Sequence, residues 1–512
     1  MKKRSIKPNS RTYTTLLNAY AGIRHSADTS DPRGSRTVEP KTLSRVSIIY
    51  DQAETYMAAA QAELERSKNK NDPEELGLAT DAMVEEGEDG GYATEVDVSV
   101  GPTNAYLKFL ARYGMFKEMD KVFLALPTSG PLSPDIITYT TMFSALYDDL
   151  NRRGRDAKSG ASGTERSTTN PSGLWTRMCR QYSSTEEHGM AGADGLRTID
   201  ESVVLIALKC LSRGDQSSQG TTMDIIDTIW SLPRPSSSSS YVGTPQLRGP
   251  TGFTLPKLPL SIRAATTIMS VCPKPTDRSH YAQLFLDRPE LKKEIDTPFL
   301  IAAIRALSET GDIDAVMDIL DNYQPRQPNH WPLSVWHDAL TAARWSKSED
   351  QGLRSQPDFQ SALKVFRRMT HLPAGVEDGE RGGKYEVDTP NGKPSDMRGI
   401  KWARSPPIEA DPKSISLLIK IALGRGWREV EQAVNVYQYV QSDSSTHSAD
   451  DGQGQGRRGK MGGKRQWDLE LAKDVERACE RLLEREWPKN KAGEYERLKE
   501  KARRAQQDTE SE

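Results

Sequence analysis

Residues 454–461, GQGRRGKM, spell most of the phosphate-cradling pattern G-x-x-x-x-G-K-[ST]. Lys460 follows Gly459 as the pattern requires, but Met461 stands where a magnesium-binding Ser or Thr belongs, and no strand precedes the run. It reads as a chance match in a Gly/Arg segment. Its cations Arg457, Arg458, Lys460, Lys464 and Arg465 could touch phosphates weakly, and a solvated linker accounts for them as well. The seven histidines form no ligand-spaced cluster; His330 and His337 flank a Trp-rich stretch, a poor start for a metal site. The four cysteines (Cys179, Cys210, Cys272, Cys479) are far apart, with no CxxC pair, which fits a reducing compartment. Cys210 falls on an apolar stripe and reads as core. No nucleophile–base arrangement and no paired carboxylates stand out. The residues make no case for an enzyme, a metal or a small-molecule cofactor.

The elements behind these residues are helical. Four stretches carry apolar or bridging residues at offsets 0, 3, 4 and 7, then a glycine: Thr103, Tyr106, Leu107, Leu110 and Gly114; Val203, Ile206, Ala207, Cys210 and Gly214; Leu300, Ala303, Ile304, Leu307 and Gly311; Ile415, Leu418, Ile419, Ala422 and Gly426. Tyr13, Leu16, Leu17 and Tyr20 repeat most of the unit, with Gly22 two residues early. These offsets put one stripe on one helix face, and the glycine ends the helix in a left-handed turn. A second stripe follows: Met119, Val122, Phe123 and Leu126; Val316, Ile319, Leu320 and Tyr323; Ala362, Val365, Phe366 and Met369. Each unit is therefore helix, turn, helix. One pair cannot bury both stripes, so neighbours must stack. The expected fold class is all-α, an α-solenoid of helix-turn-helix repeats, with units near 10–66, 100–135, 136–182, 200–232, 258–289, 297–326, 332–372 and 412–440. A capping helix is expected at 467–486, with Leu471, Val475, Ala478 and Leu482 on one face, and a fraying charged tail after Pro488.

Charge and composition bound the partners. Lys and Arg number 70 against 72 Asp and Glu, a net −2, which does not favour nucleic acid over the chain as a whole. Much of the acid (Glu85, Glu86, Glu88, Asp89) sits in an insertion, leaving room for a basic inner face. Only 35% of residues are hydrophobic and the mean hydropathy is −0.68. Polar segments at 25–40, 68–99, 148–173, 183–198, 231–257 (with Ser236 to Ser240), 374–411 and 441–466 account for this; they read as loops or disorder. The layout is 1–147 as N-terminal repeats, 148–199 as an insertion with one helix near 174–182, 200–440 as degenerate repeats, 441–466 as linker and 467–512 as cap and tail. No membrane span and no targeting presequence is present.

A unit length near 35 leaves tetratricopeptide and pentatricopeptide repeats. The tryptophan, glycine and tyrosine pattern of the first is absent. The junctions Pro8-Asn9 with Thr12-Tyr13, and Pro134-Asp135 with Thr138-Tyr139, resemble the pentatricopeptide junction. The resemblance is strong over 1–147 and continues weakly to about 440. By it, Met1 stands near the end of a second helix, so the chain is expected to begin inside a repeat.

The resemblance implies single-stranded RNA as partner, one base per repeat, chosen by the fifth and last residues of the repeat. In the unit starting at Val100 these are Asn104 and Asp135, which resemble a uridine-preferring pair. The amide offers donor and acceptor to a base edge, with the carboxylate orienting it through a water. The competing use of Asn104 is a helix-start residue satisfying backbone amides. Thr14 and Thr140 hold the fifth place in two other units and resemble purine-preferring choices. Asn9 would close the unit cut off at the start. Val204, Ile301 and Ser416 follow at that place, and Val and Ile cannot make polar base contacts. Long polar insertions look like those of fungal members. The resemblance thus implies a mitochondrial protein in organelle RNA metabolism, first in small-subunit rRNA 5′-end processing and ribosomal small-subunit maturation, otherwise in intron splicing or translational activation. The rival reading is a protein-binding scaffold associated with the mitoribosomal small subunit.

Overall fold

The computed structural model describes residues 8–22, 39–70, 98–159, 167–187, 199–235, 257–323, 331–345, 357–370, 408, 410–447, 461–485 and 491–511. The Gly/Arg run at 454–460, the acidic residues Glu85 to Asp89, the serines 236–240, His330 and Met1 lie outside them.

The first of two compact units (Met1–Arg234 with Ser240–Pro259) holds four helix pairs. They are α1 (Ser10–Gly22) with α2 (Pro40–Lys70), α3 (Gly101–Tyr113) with α4 (Phe116–Ala125), α5 (Ile136–Ser159) with α6 (Pro171–Glu187), and α7 (Glu201–Leu211) with α8 (Gln216–Trp230). The leading helices stack in order, α1 on α3, α3 on α5, α5 on α7, each covered by its own second helix. That order is a solenoid.

The second unit (Pro235–Ser239 with Leu260–Glu512) repeats the plan. Its helices are α9 (Ile262–Val271), α10 (Pro275–Leu286), a single turn α11 (Pro289–Lys292), α12 (Thr297–Ser308), α13 (Ile313–Asn322), α14 (Leu333–Arg344), α15 (Phe359–Thr370), α16 (Pro412–Leu423), α17 (Trp427–His447), α18 (Met461–Glu484) and α19 (Ala492–Ser511). Leading helices α9, α12, α14, α16 and α18 stack in succession.

The stripes are the core. Leu107, Leu110, Val203, Ala207, Cys210, Ala303, Ile304, Leu307, Leu418, Ile419 and Ala422 are fully buried, as are Met119, Val316, Val365 and Phe366. Leu16 and Leu126 are the exceptions among the stripe leucines, Leu126 half-buried and Leu16 41% exposed on α1. All four cysteines are free and buried, and burial pushes the thiols of Cys179, Cys210 and Cys479 up to about 12.

Two of the glycine stops take the left-handed turn, Gly114 at φ 71° and Gly311 at φ 75°. Gly214 and Gly426 do not; α7 closes through Ser212 in ordinary helical geometry, and α16 through Gly424. At Gly114 a Cβ would also lie 2.6 Å from Arg152 Nη1. Gly114→Ala is expected to destabilise the first unit by about 1 kcal/mol from backbone strain and to displace Arg152. Urea unfolding followed by circular dichroism checks it; an unchanged midpoint would contradict it.

Three expectations are corrected. The polar segment at 148–173 is largely structured: α5 runs on to Ser159, and residues 167–169 are pinned to α4. The pin is Asp120, only 3% exposed. Its carboxylate accepts from Ser167 Oγ (2.9 Å), Thr168 Oγ1 (3.0 Å), Thr169 Oγ1 (2.8 Å) and the amides of Thr168 (2.6 Å) and Thr169 (3.3 Å). Asp149 and Arg153 grip Ser167 from the other side. The 441–466 linker is narrower than its composition suggests, because α17 reaches His447 and α18 begins at Met461. Nor does the tail fray. Helix α19 packs Tyr495 (1% exposed) and Ala502 against α18, so the described residues form nine pairs, the last standing where a lone cap was expected.

Candidate nucleic-acid interface

A helix begins with amides that no turn above can satisfy, and a short acceptor side chain at the N-cap takes one of them. The family-like junctions do this. Asn9 Oδ1 accepts from the Thr12 amide (2.9 Å) and hydroxyl (2.8 Å) at the head of α1. Asp135 Oδ1 accepts from the Thr138 amide (2.7 Å) and hydroxyl (2.8 Å) at the head of α5. Asp200, Ser261, Asp296 and Asp411 cap α7, α9, α12 and α16 in the same way. The acid or amide at the end of a repeat therefore has a folding role in both units.

Asn104 does not cap its helix. The N-cap of α3 is Val100, and Asn104 sits a turn inside, 4% exposed. Its Nδ2 donates to Asp135 Oδ1 at 2.9 Å, and its Oδ1 accepts from Thr138 Oγ1 at 2.6 Å. The expected pair is brought together, by a direct bond rather than through a water. One N–H of the amide and Oδ2 of Asp135 are left without a described partner.

The same junction recurs where the sequence reading missed it. On α14, Trp336, Ala339, Leu340 and Ala343 form the stripe, so His337 holds the place of Asn104. His337 Nε2 lies 3.0 Å from Asp411 Oδ1 and 3.1 Å from Ser414 Oγ, matching Asp135 and Thr138. Ser416 on α16 likewise donates to Asp474 of α18 at 2.6 Å. A fifth-place side chain thus ties one leading helix to the next, at its first turn for Asn104 and His337 and at mid-helix for Ser416. Burial alone would raise the Asp411 carboxyl, but bonds from His337, the Ser414 hydroxyl and the Ser414 amide outweigh it and hold the group at about 2. A carboxyl lowered in the folded state adds stability above its ordinary value near 3.9 and loses it as pH falls toward the folded value. Between about pH 4 and pH 2 the native chain is expected to lose roughly 1 kcal/mol more than Asp411→Ala, less than full linkage because water reaches the carboxylate. Thermal unfolding across that range checks it; parallel curves would contradict it.

The remaining fifth places differ. Thr14 Oγ1 and Thr140 Oγ1 donate back into their own helices, to Ser10 O (3.0 Å) and Ile136 O (2.7 Å). Thr14 lies against the first turn of α3, where a Cβ on Gly101 would come within 2.9 Å of its hydroxyl. Val204 is fully buried and Ile301 partly so.

From the fifth places, rows run along the leading helices at i, i+4 spacing. On α3 the row is Asn104, Lys108, Arg112; on α5 it is Thr140, Ser144, Asp148, Arg152. Lys108 and Arg112 of the first row and all four residues of the second line a groove of about 420 Å³ with Thr141, Ala111 and Ala145; Asn104, at the head of the α3 row, is not part of its lining. Arg112 Nη1 donates to the Ala21 carbonyl, and the Arg152 guanidinium sits 5.6 Å from the centre of the Phe116 ring. None of Lys108, Arg112 and Arg152 has an acidic partner among the described residues. In the second unit the corresponding cations are neutralised: Arg305 by Asp338 (3.4 Å), Lys420 by Glu470 (2.8 Å) and Asp474 (3.4 Å). The spacing 104, 108, 112 was readable in the sequence; that these cations go unpaired was not. Among the described residues there is no cluster of metal-ligating side chains, and no helix is long and apolar enough to cross a membrane.

No family model and no curated protein matches the chain. Among solved structures it is similar to the pentatricopeptide repeat protein PPR10 in complex with an 18-nt psaJ RNA element, at 12% identity over 98% of this chain and 60% of that one, with a TM-score of 0.26. It is similar to PPR10 from maize at 12% identity over 99% and 81%, TM-score 0.18. A cysteine-substituted PPR10 with the same RNA element gives 14% identity over 94% and 64%, TM-score 0.25. The chain thus spans about three-fifths of the first of these. Likenesses this low carry no information on function.

Proposed function

We propose that the chain is a single-stranded RNA-binding solenoid of the pentatricopeptide type that works through the leading-helix face of its first unit. The observation that carries the reading is the Asn104–Asp135–Thr138 junction standing at the head of a row that ends in cations without acidic partners. An unstacked base edge entering between α3 and α5 meets the free N–H of Asn104, held in place by Asp135. The phosphates follow Lys108 and Arg112. Binding of this kind needs no catalytic group; the chain would mask a short segment or present it to another factor. The family resemblance extends the reading to mitochondrial RNA, first to 5′-end processing of small-subunit rRNA and maturation of that subunit, with splicing or translational activation as the other jobs.

The second unit favours a different use. Its fifth places are apolar at Ile301 or tied inward at His337 and Ser416, and its row cations are paired. That face suits a protein partner, such as a component of the mitoribosomal small subunit. Crosslinking and sequencing of RNA bound to the tagged chain in cells tests the reading. One sharp peak on a single-stranded stretch of mitochondrial RNA is expected. Signal spread at background, with ribosomal proteins co-purifying, would leave only the scaffold.

A further inference from the structure

We propose that the groove between α3 and α5 seats a terminal phosphomonoester, the dianionic end of a nucleic-acid strand. The assignment rests on the RNA reading only for the strand that carries the phosphate. Charge selects the group. Lys108, Arg112 and Arg152 face a single carboxylate, Asp148, leaving an excess of two positive charges. A phosphomonoester carries roughly −1.5 to −2 at neutral pH, whereas each internal phosphodiester carries one negative charge.

Placement supports the same choice. Arg152 is steadied over the Phe116 ring, and its Nη1 fills the space that only a glycine at 114 leaves open. Arg112 is tethered by the Ala21 carbonyl and keeps further N–H groups for a ligand. The Ser144 hydroxyl, on the same row as Arg152, has no described partner and can donate to a phosphate oxygen. Two of the cations are thus ordered before the ligand arrives, which lowers the entropy cost of binding. Thr140, at the head of the α5 row, lines the same groove, so the terminal nucleotide would sit at a fifth place.

The test is equilibrium binding of the full chain to one short single-stranded oligonucleotide, labelled internally, with a 5′-monophosphate, a 3′-monophosphate or no terminal phosphate. One phosphorylated end is expected to bind about tenfold tighter than the unphosphorylated strand. The gain should vanish in Lys108→Gln with Arg152→Gln, and shrink in Lys108→Gln alone, an exposed position that makes no described bond. Equal binding of all three strands would overturn the proposal and leave the RNA reading standing. If no strand binds, the RNA reading fails. Inorganic phosphate then decides the site: a raised unfolding midpoint in the native chain but not in the double variant keeps it, and no shift in either removes it.

Discussion

Replacing Asp120 by alanine is expected to destabilise the first unit by about 3 kcal/mol. The carboxylate collects three hydroxyls and two amides of residues 167–169 in a site 3% exposed to water. Hydroxyls can rotate toward other acceptors, but the Thr168 and Thr169 amides point where the side chain directs them. Without it the Thr168 amide loses its acceptor and the Thr169 amide keeps only Ser167 Oγ at 3.1 Å, and hydrogen bonds to a charged acceptor contribute about 1.5–3 kcal/mol each. The segment also leads into α6, so its release should loosen Trp175 and Met178, both fully buried. Asp120→Asn keeps one acceptor oxygen and should lose about half as much. Chemical unfolding of both variants measures this; a loss below about 0.5 kcal/mol for Asp120→Ala would show that the segment does not depend on the clasp.

The second large effect concerns base choice. Asn104→Ala removes the one N–H left for a base edge, and Asp135→Asn removes the charge while keeping an N-cap that serves a helix nearly as well. Together they are expected to abolish a uridine preference of roughly tenfold at one position, since a good side-chain pair to a base discriminates by about 1–3 kcal/mol. Overall affinity should fall less, because Lys108, Arg112 and Arg152 remain. A scaffold that does not read bases would keep all its partners through both changes.

The helices were legible because burial leaves a period. Leu107 and Leu110, or Ile304 and Leu307, must face inward, and nothing else produces that spacing so often. Leu16 shows the limit: the stripe says which residues share a face, and a neighbour must still arrive to cover it. Polar contacts between distant segments left no such trace. Asp120 meets Ser167 across 47 positions through a Ser/Thr run that reads as solvated. The extension of α5 to Ser159 is polar and follows from a packed start at Tyr139, Met142 and Phe143 rather than from its own composition. Asn104 and Asp135 were found through the junction they resemble. His337, in the same place, was passed over because no glycine marks the end of its helix. The helix α19 carries too few apolar residues to announce itself, and it is held partly by Arg503 and Lys499 against Glu476 and Glu480 of α18.

The proposed function has the first unit reading single-stranded RNA through the Asn104–Asp135 junction. The most direct measurement is a set of binding titrations of the full chain against single-stranded oligonucleotides that differ at one position, uridine against the other three bases, at two salt concentrations. Binding is expected to weaken steeply with salt, with a uridine preference of about tenfold at that position in the native chain and none in Asn104→Ala with Asp135→Asn. Salt-sensitive binding with no base preference, or a preference that survives both substitutions, would contradict it.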